Sequence, residues 1–227
     1  MHSFYAAAFD LDGTLLDSLG DLAEAGNKAL RAFGYSTHPV DAYRHFVGSG
    51  LEMLILRALP DGEAERLGSA GLRRLVETAG KYYARDWAVH TLPYPGVCEV
   101  LSVLQTRGVP LAVVTNKPHE WTHEMLTYFF AGISFAYVQG AAPDVPHKPD
   151  PFSALQAAKA MNVPPQAVAF IGDSDVDMFT ARNAGMGAMG AVWGFRGADE
   201  LGHAGADVLL QHPLELLPYL KSRADRS

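Results

Sequence analysis

Cysteine is nearly absent: Cys98 is the only one in 227 residues, so no disulfide can close within the chain, and a reduced, cytoplasmic setting is expected. Also missing is any uninterrupted apolar run near the ~20 residues that a membrane-spanning helix needs. The first residues carry no basic segment followed by a long apolar one, so no export signal is expected. Positive charge is scarce, with 18 Lys and Arg against 25 Asp and Glu, a formal charge of -7, and no basic run beyond the polar tail from Lys221 to Ser227. That balance offers no electrostatic footprint for nucleic acid or an anionic membrane, and an anionic substrate would need cations placed locally. What the chain does have is apolar matter. At 48% hydrophobic and 19% charged it can bury a core, in one large domain or two small ones.

Short apolar runs rich in Val, Ala, Ile and Phe alternate with longer helix-like segments, the signature of a mostly parallel sheet covered by helices. Strands are predicted at 4–9, 111–115, 135–138, 168–171 and 188–193, and helices at 97–106, 120–129, 151–161 and 176–184. Gly108 and Gly185 suit helix ends. The interval 17–92 differs: Leu22, Ala25 and Ala29, then Leu51, Leu54, Ile55 and Leu59, repeat with helical spacing, and no strand stands out. The expectation is an α/β protein: a Rossmann-like three-layer core with a parallel sheet, made of 1–16 and 93–227, and a small all-helical cap inserted at 17–92. Thr91-Leu92-Pro93-Tyr94-Pro95-Gly96 would be the return linker.

The richest stretch is FYAAAFDLDGTLLDS, from Phe4 to Ser18, where an apolar run breaks into Asp10, Asp12, Gly13 and Thr14. Extended backbone alternates its side chains, so Asp10 and Asp12 can face one way while Phe9 and Leu11 face the other. Two anions in one small space raise each other's pKa unless a cation or a shared proton relieves them. Ligands of an open parallel sheet sit outside the carboxyl ends of its strands. There the first strand would deliver Asp10 and Asp12, the second Thr115 and Asn116, and the fourth Gly172, Asp173, Ser174 and Asp177, with Lys148 on a loop. Asp173 and Asp177 lie four apart at a helix start, on one face, and with Asp10 they suit a hard divalent cation, magnesium being the economical choice. Lys148 would balance charge and hold a phosphate oxygen, and Thr115 and Asn116 would offer uncharged donors to another. Singly, each piece has a plain reading: a solvated lysine, a turn residue, a helix N-cap at Asp173. Together, in this order, they point to a phosphate and metal site.

The runs DLDGTLLDS from Asp10, VVTNK from Val113, HKPDP from His147 and IGDSDVD from Ile171 resemble the four motifs of the haloacid dehalogenase-like hydrolase superfamily. LPYPGV from Leu92, VWGF from Val192 and YYARDW from Tyr82 are similar to its phosphoglycolate phosphatase-like branch. The resemblance implies Mg²⁺ dependence and phosphate-ester hydrolysis of a small phosphorylated metabolite, 2-phosphoglycolate first, by a monomer or homodimer. Asp10 would be the nucleophile and Asp12 the general acid and base. Asp10, Asp173 and the main-chain carbonyl of Asp12 would bind the metal, with Asp177 outside them holding water or Lys148 and Ser174 close by. Thr14 would position Asp12, and Gly13 would permit the turn. In the insertion, Arg44, Gly48, Ser49 and Gly50 are candidates for substrate contact.

Dehalogenases and phosphonatases of the superfamily lack an aspartate two residues after the nucleophile, so Asp12 favours phosphatase. A sugar phosphomutase keeps the pair and stays open, as does a non-catalytic binding scaffold. His119-Glu120-Trp121-Thr122-His123 fits the H-E-x-x-H pattern of zinc peptidases, without an evident third ligand. The glycine pattern at Gly185-Met186-Gly187-Ala188-Met189-Gly190 follows a helix and enters a strand, the reverse of a dinucleotide site. Asp173, Asp175 and Asp177 mimic a calcium loop, but Met178 stands where that loop needs glycine.

Overall fold

The computed structural model describes residues 3–222, so all but the first two residues of the polar tail beginning at Lys221 lie outside it. Six parallel strands form one sheet: β1 (Ala6–Phe9), β2 (Leu111–Pro118), β3 (Tyr137–Ala141), β4 (Val168–Gly172), β5 (Gly187–Ala191) and β6 (Val208–Leu210), in the spatial order β3-β2-β1-β4-β5-β6. This is the doubly wound order, whose direction of winding reverses beside β1. The central strands read as unbroken apolar runs because both of their faces are covered. On one face Ala6, Ala8, Ala112, Val114 and Phe170 pack against Ala154, Ala157 and Met161 and against Met178 and Ala181. These partners belong to the helices Phe152–Ala160 and Asp175–Ala184 and to the turn that follows the first. On the other face Phe9 lines a small void together with Val97 and Val100 of the helix Val97–Thr106 and with Leu216.

The strand expectations differ from the structure at their ends, for local reasons. At Phe4 the chain pairs with the C-terminal segment, Phe4 N–H donating to Tyr219 O (2.8 Å) and Lys221 N–H to Phe4 O (2.9 Å), so β1 begins only at Ala6. The fifth strand stops at Ala191, where a turn closes from Gly194 N–H to Ala191 O (3.1 Å). The sixth, Val208–Leu210, was not anticipated: three residues on an edge leave too short a pattern to read. The short helix Ala198–His203 was likewise not anticipated.

Register decides what the sheet presents. Phe9 pairs with Val113 on one side and Ile171 on the other, so β1, β2 and β4 run level. Asp10, Val114 and Gly172 therefore stand in one row, and the polar residues after them emerge at one edge. The helix Asp175–Ala184 opens there with a capping box: Ser174 and Asp177 each bond the other's backbone N–H. It closes at Gly185, in the left-handed region at φ +69°.

Residues Asp17–Leu92 form a separate compact unit, and the sheet unit comprises the chain up to Leu16 and from Pro93. The helical unit contains α1 (Leu19–Ala32), a 3-10 segment (Val40–His45), α2 (Leu51–Ala58) and α3 (Glu63–Asp86), the last broken at Gly68, whose φ of 64° and ψ of 174° are not helical. Its interior is Leu22, Ala29 and Leu30, Leu54 and Ile55, and the i, i+4 stripe Leu75, Ala79 and Tyr83. A buried amide organises one side: Asn27 Oδ1 accepts from Tyr43 O–H (3.0 Å) and His38 N–H (2.9 Å), while its Nδ2 donates to His38 O (2.8 Å). Asn27→Ala orphans three of these groups at once and is expected to lower stability in urea denaturation by about 2 kcal/mol.

Candidate active site

Asp10 leaves the end of β1 with 7% of its surface exposed, its N–H bonded to Ile171 O (2.9 Å) of β4. Leu11 to Leu16 then fold tightly, with Leu15 and Leu16 N–H both donating to Leu11 O (3.0 Å each). Gly13 takes φ +84°, and a Cβ there would lie 2.2 Å from Asp173 Oδ2. Only glycine therefore allows the loop to pass this close to the second carboxylate. Asp173, one residue beyond β4, is 2% exposed and held on both oxygens: Thr14 Oγ1 donates to Oδ1 (3.2 Å) and Phe195 N–H to Oδ2 (2.8 Å). Thr14 was expected beside Asp12; its hydroxyl is turned onto Asp173 instead.

Lys148 reaches the cluster from the loop after β3, its Nζ 2.6 Å from Asp177 Oδ1 and 2.9 Å from Asp10 Oδ1. Asp177 is fully buried, its Oδ2 taking Ser174 N–H (3.1 Å) and Oγ (2.6 Å). Asn116, expected to face a phosphate, has its amide engaged with the backbone of Lys148 in both directions: Nδ2 donates to Lys148 O (3.1 Å) and Oδ1 accepts from Lys148 N–H (2.9 Å). It therefore fixes where the lysine starts. Thr115 is buried beside Asp10, and its Oγ1 accepts from Lys117 N–H (3.3 Å).

The donor set fits a divalent cation. Asp10, Asp173 and Asp177 each bring a carboxylate oxygen within 4.8 Å of the others, all buried. Asp10 Oδ1, although near the Lys148 ammonium, has no hydrogen-bond donor in line with it. Three carboxylates against one lysine leave a charge of about minus two, and oxygen ligands of this kind suit a hard cation such as Mg²⁺. Burial, then the charge of Asp177, raises Asp10 to about 6 against the opposing pull of Lys148, and burial with Asp177 and Asp10 raises Asp173 well above the usual carboxylate range. Burial works against the Lys148 ammonium, but Asp10 and Asp177 outweigh it and push its pKa up.

Two features of the site were missed in the sequence. Lys117, on the same strand as Thr115, places its ammonium 2.9 and 3.0 Å from the two oxygens of Asp12, with 2% of the lysine side chain and 12% of the aspartate side chain exposed. The signal was its place at the end of VVTNK, in a strand too apolar to hold a solvated lysine. The other is the turn after β5. Trp193 Nε1 donates to Thr14 O (3.0 Å), and a Cβ on Gly194 would lie 2.3 Å from both Asp173 Cβ and Gly13 O, so this turn clamps Asp173 from behind.

In the helical unit, Arg44 Nε donates to Asp41 Oδ1 (2.6 Å) at the surface. Gly48 and Gly50 take φ of 118° and 87°, and Ser49 Oγ accepts from Arg57 (3.2 Å). Arg57, which also donates to Phe46 O (3.1 Å), organises this loop. His119 and His123 stack edge to face at 4.6 Å, and His119 Nδ1 accepts from Gly140 N–H (3.2 Å). Among the described residues, the grouping of three potential metal ligands is the carboxylate cluster, which does not include them. Gly185 ends a helix and Gly187 opens β5, so that glycine pattern is structural.

The sequence matches the family described as haloacid dehalogenase-like hydrolase over residues 7–191. It is 35% identical over 191 residues to a phosphoglycolate phosphatase of Psychrobacter arcticus, covering 82% of this chain and 83% of that one. It is 31% identical over 222 residues to phosphoglycolate phosphatase 1 of Pseudomonas aeruginosa, covering 96% and 80%. The fold superposes on the crystal structure of a predicted phosphoglycolate phosphatase from Haemophilus somnus with a TM-score of 0.87 at 29% identity, over 96% of this chain and 98% of that one. Among the described residues no helix is long and apolar enough to cross a membrane.

A carboxyl whose pKa is higher folded than unfolded binds its proton more tightly when folded, so the folded state loses stability as pH rises through that interval. For Asp10 the interval runs from 3.8 to about 6. Without divalent cation, Asp10→Asn is therefore expected to be more stable than the parent at pH 7, by about 1 to 3 kcal/mol, and the gain should shrink as pH falls from 6 to 4. Denaturant midpoints across that range, with chelator present, give the comparison.

Proposed function

Because the chain belongs to the haloacid dehalogenase-like hydrolase family, as a phosphatase of the phosphoglycolate phosphatase-like branch, we propose that it hydrolyses small phosphomonoesters through an aspartyl phosphate, with 2-phosphoglycolate the leading substrate. The observation that carries the reading is the joint position of Asp10, Asp173 and Lys148 at one edge of the sheet, with Asp12 two residues from Asp10 on the same loop. Phosphoryl transfer asks a protein for an in-line nucleophile, neutralised equatorial oxygens and a protonated leaving group.

Asp10 supplies the first. Its carboxylate attacks phosphorus, the bond to the ester oxygen breaks, and the phosphoryl group stays on Asp10 as a mixed anhydride. Asp12 gives its proton to the departing alkoxide, then takes one from the water that attacks phosphorus and returns Asp10 to a carboxylate. Lys148, fixed at its backbone by Asn116 and at its ammonium by Asp177, faces the phosphoryl oxygens, and Thr115 adds a hydroxyl. Asp10, Asp173 and the main-chain carbonyl of Asp12 would hold Mg²⁺, with Asp177 outside them. The ion would supply charge neutralisation for the transferring group. Arg44, Gly48, Ser49 and Gly50 stay candidates for contact with the rest of the substrate.

The test is phosphate release from a panel of small esters, including 2-phosphoglycolate, sugar phosphates and nucleotides, with Mg²⁺ or with chelator. Release is expected to need the metal, to vanish in Asp10→Asn, and to fall about 10²- to 10⁴-fold in Asp12→Ala, with both variants folded. Release from Asp10→Asn at the parent's rate would refute the mechanism. Interconversion of sugar phosphates without release would mark a mutase.

A further inference from the structure

We propose that Lys117 selects the leaving group: its ammonium, seated against Asp12, pairs with a carboxylate that the leaving alcohol carries beside its ester oxygen. The inference rests on the reading of Asp12 as the acid and deepens it by assigning a residue, Lys117, to recognition of the leaving alcohol.

The two buried lysines of this site pair with different carboxylates. Lys148 contacts Asp10 and Asp177, the side where the phosphoryl group is held. Lys117 contacts Asp12 through both carboxylate oxygens, at 2.9 and 3.0 Å. A general acid must come within hydrogen-bond reach of the oxygen it protonates. With Asp12 as the acid, the Lys117 ammonium is therefore one contact removed from the leaving oxygen, whereas Lys148 contacts Asp10 and Asp177. In a 2-hydroxy acid the carboxylate hangs on the carbon that bears the ester oxygen, so it occupies that same neighbourhood.

Holding Asp12 does not by itself call for a lysine. Asp173 is held on both oxygens by a hydroxyl and a backbone N–H, which are far cheaper to bury than an ammonium. The ammonium is a compact point charge with three donors on a flexible stem, able to serve a second anion without a planar match. With 2% of its side chain exposed, it attracts that anion through little water. Net charge sharpens the point: in a chain at -7, this is a cation placed where a second negative group of a small substrate would need one.

Matched ester pairs test this directly. 2-Phosphoglycolate and ethyl phosphate differ by a carboxylate in place of a methyl group, as do 2-phospholactate and isopropyl phosphate. The parent protein with Mg²⁺ is expected to prefer the acid of each pair by about 10²-fold or more in kcat/KM, with much of the difference in KM. Lys117→Met should bring that preference down to a few-fold, and Lys117→Arg should keep part of it. p-Nitrophenyl phosphate, whose leaving group needs no proton, reports whether each variant still has a working phosphoryl site. Equal losses on both members of each pair would overturn the inference, leaving Lys117 as a support for Asp12. So would a parent protein that turns over acid and neutral esters alike, a result that needs no variant to fold and leaves the phosphatase reading standing. Failure to release phosphate from any ester, p-nitrophenyl phosphate included, would overturn that reading and this inference with it.

Discussion

A single ammonium makes the crevice possible. Lys148 lies against Asp177 and Asp10 at once, in a space where three carboxylates are withdrawn from water. Burying one unpaired charge costs several kcal/mol, and like charges a few ångströms apart add to it. The lysine answers part of that cost, and what remains is carried as raised proton affinity on Asp10 and Asp173. The same imbalance is what a divalent cation would remove. One charge deficit thus links stability to the proposed function: the three buried carboxylates that raise each other's proton affinity are also the oxygen set that could hold a divalent cation.

Around that centre the supporting bonds fall into a pattern. Each acidic group has its own holder, Phe195 N–H and Thr14 for Asp173, Ser174 for Asp177, Lys117 for Asp12, while the buried Oδ1 of Asp10 faces the Lys148 ammonium at 2.9 Å without a donor in line with it. In the proposed mechanism Asp10 must keep a lone pair for phosphorus, and the others need only be oriented. The level register of β1, β2 and β4 makes this economical, because strand ends that finish in one row bring distant stretches of chain together without long loops.

The sheet was legible because parallel strands buried on both faces are apolar throughout, and because glycines and prolines punctuate the helices between them. The site was legible because chemistry-bearing residues stand just past those strands, a placement that local sequence records. What stayed hidden was non-local. Nothing in VWGF announces that the N–H of Phe195 will reach Asp173, since any residue except proline carries that donor. Thr14 was assigned to its near neighbour in sequence, Asp12, whereas its hydroxyl crosses to Asp173, 159 residues away. Asn116 reads as a substrate donor until its partner, the backbone of Lys148, is in view. The edge strand Val208–Leu210 is too short for periodicity to register.

The clamp behind Asp173 divides its labour unevenly between adjacent residues. Position 194 admits no side chain at all, because a Cβ there would collide with Asp173 and with the carbonyl of Gly13, whereas position 195 contributes only a main-chain hydrogen to the carboxylate. A gene encoding this protein could drift at codon 195 among apolar replacements that fill the same space without disturbing the acid, while codon 194 is frozen because one methyl group has no room there.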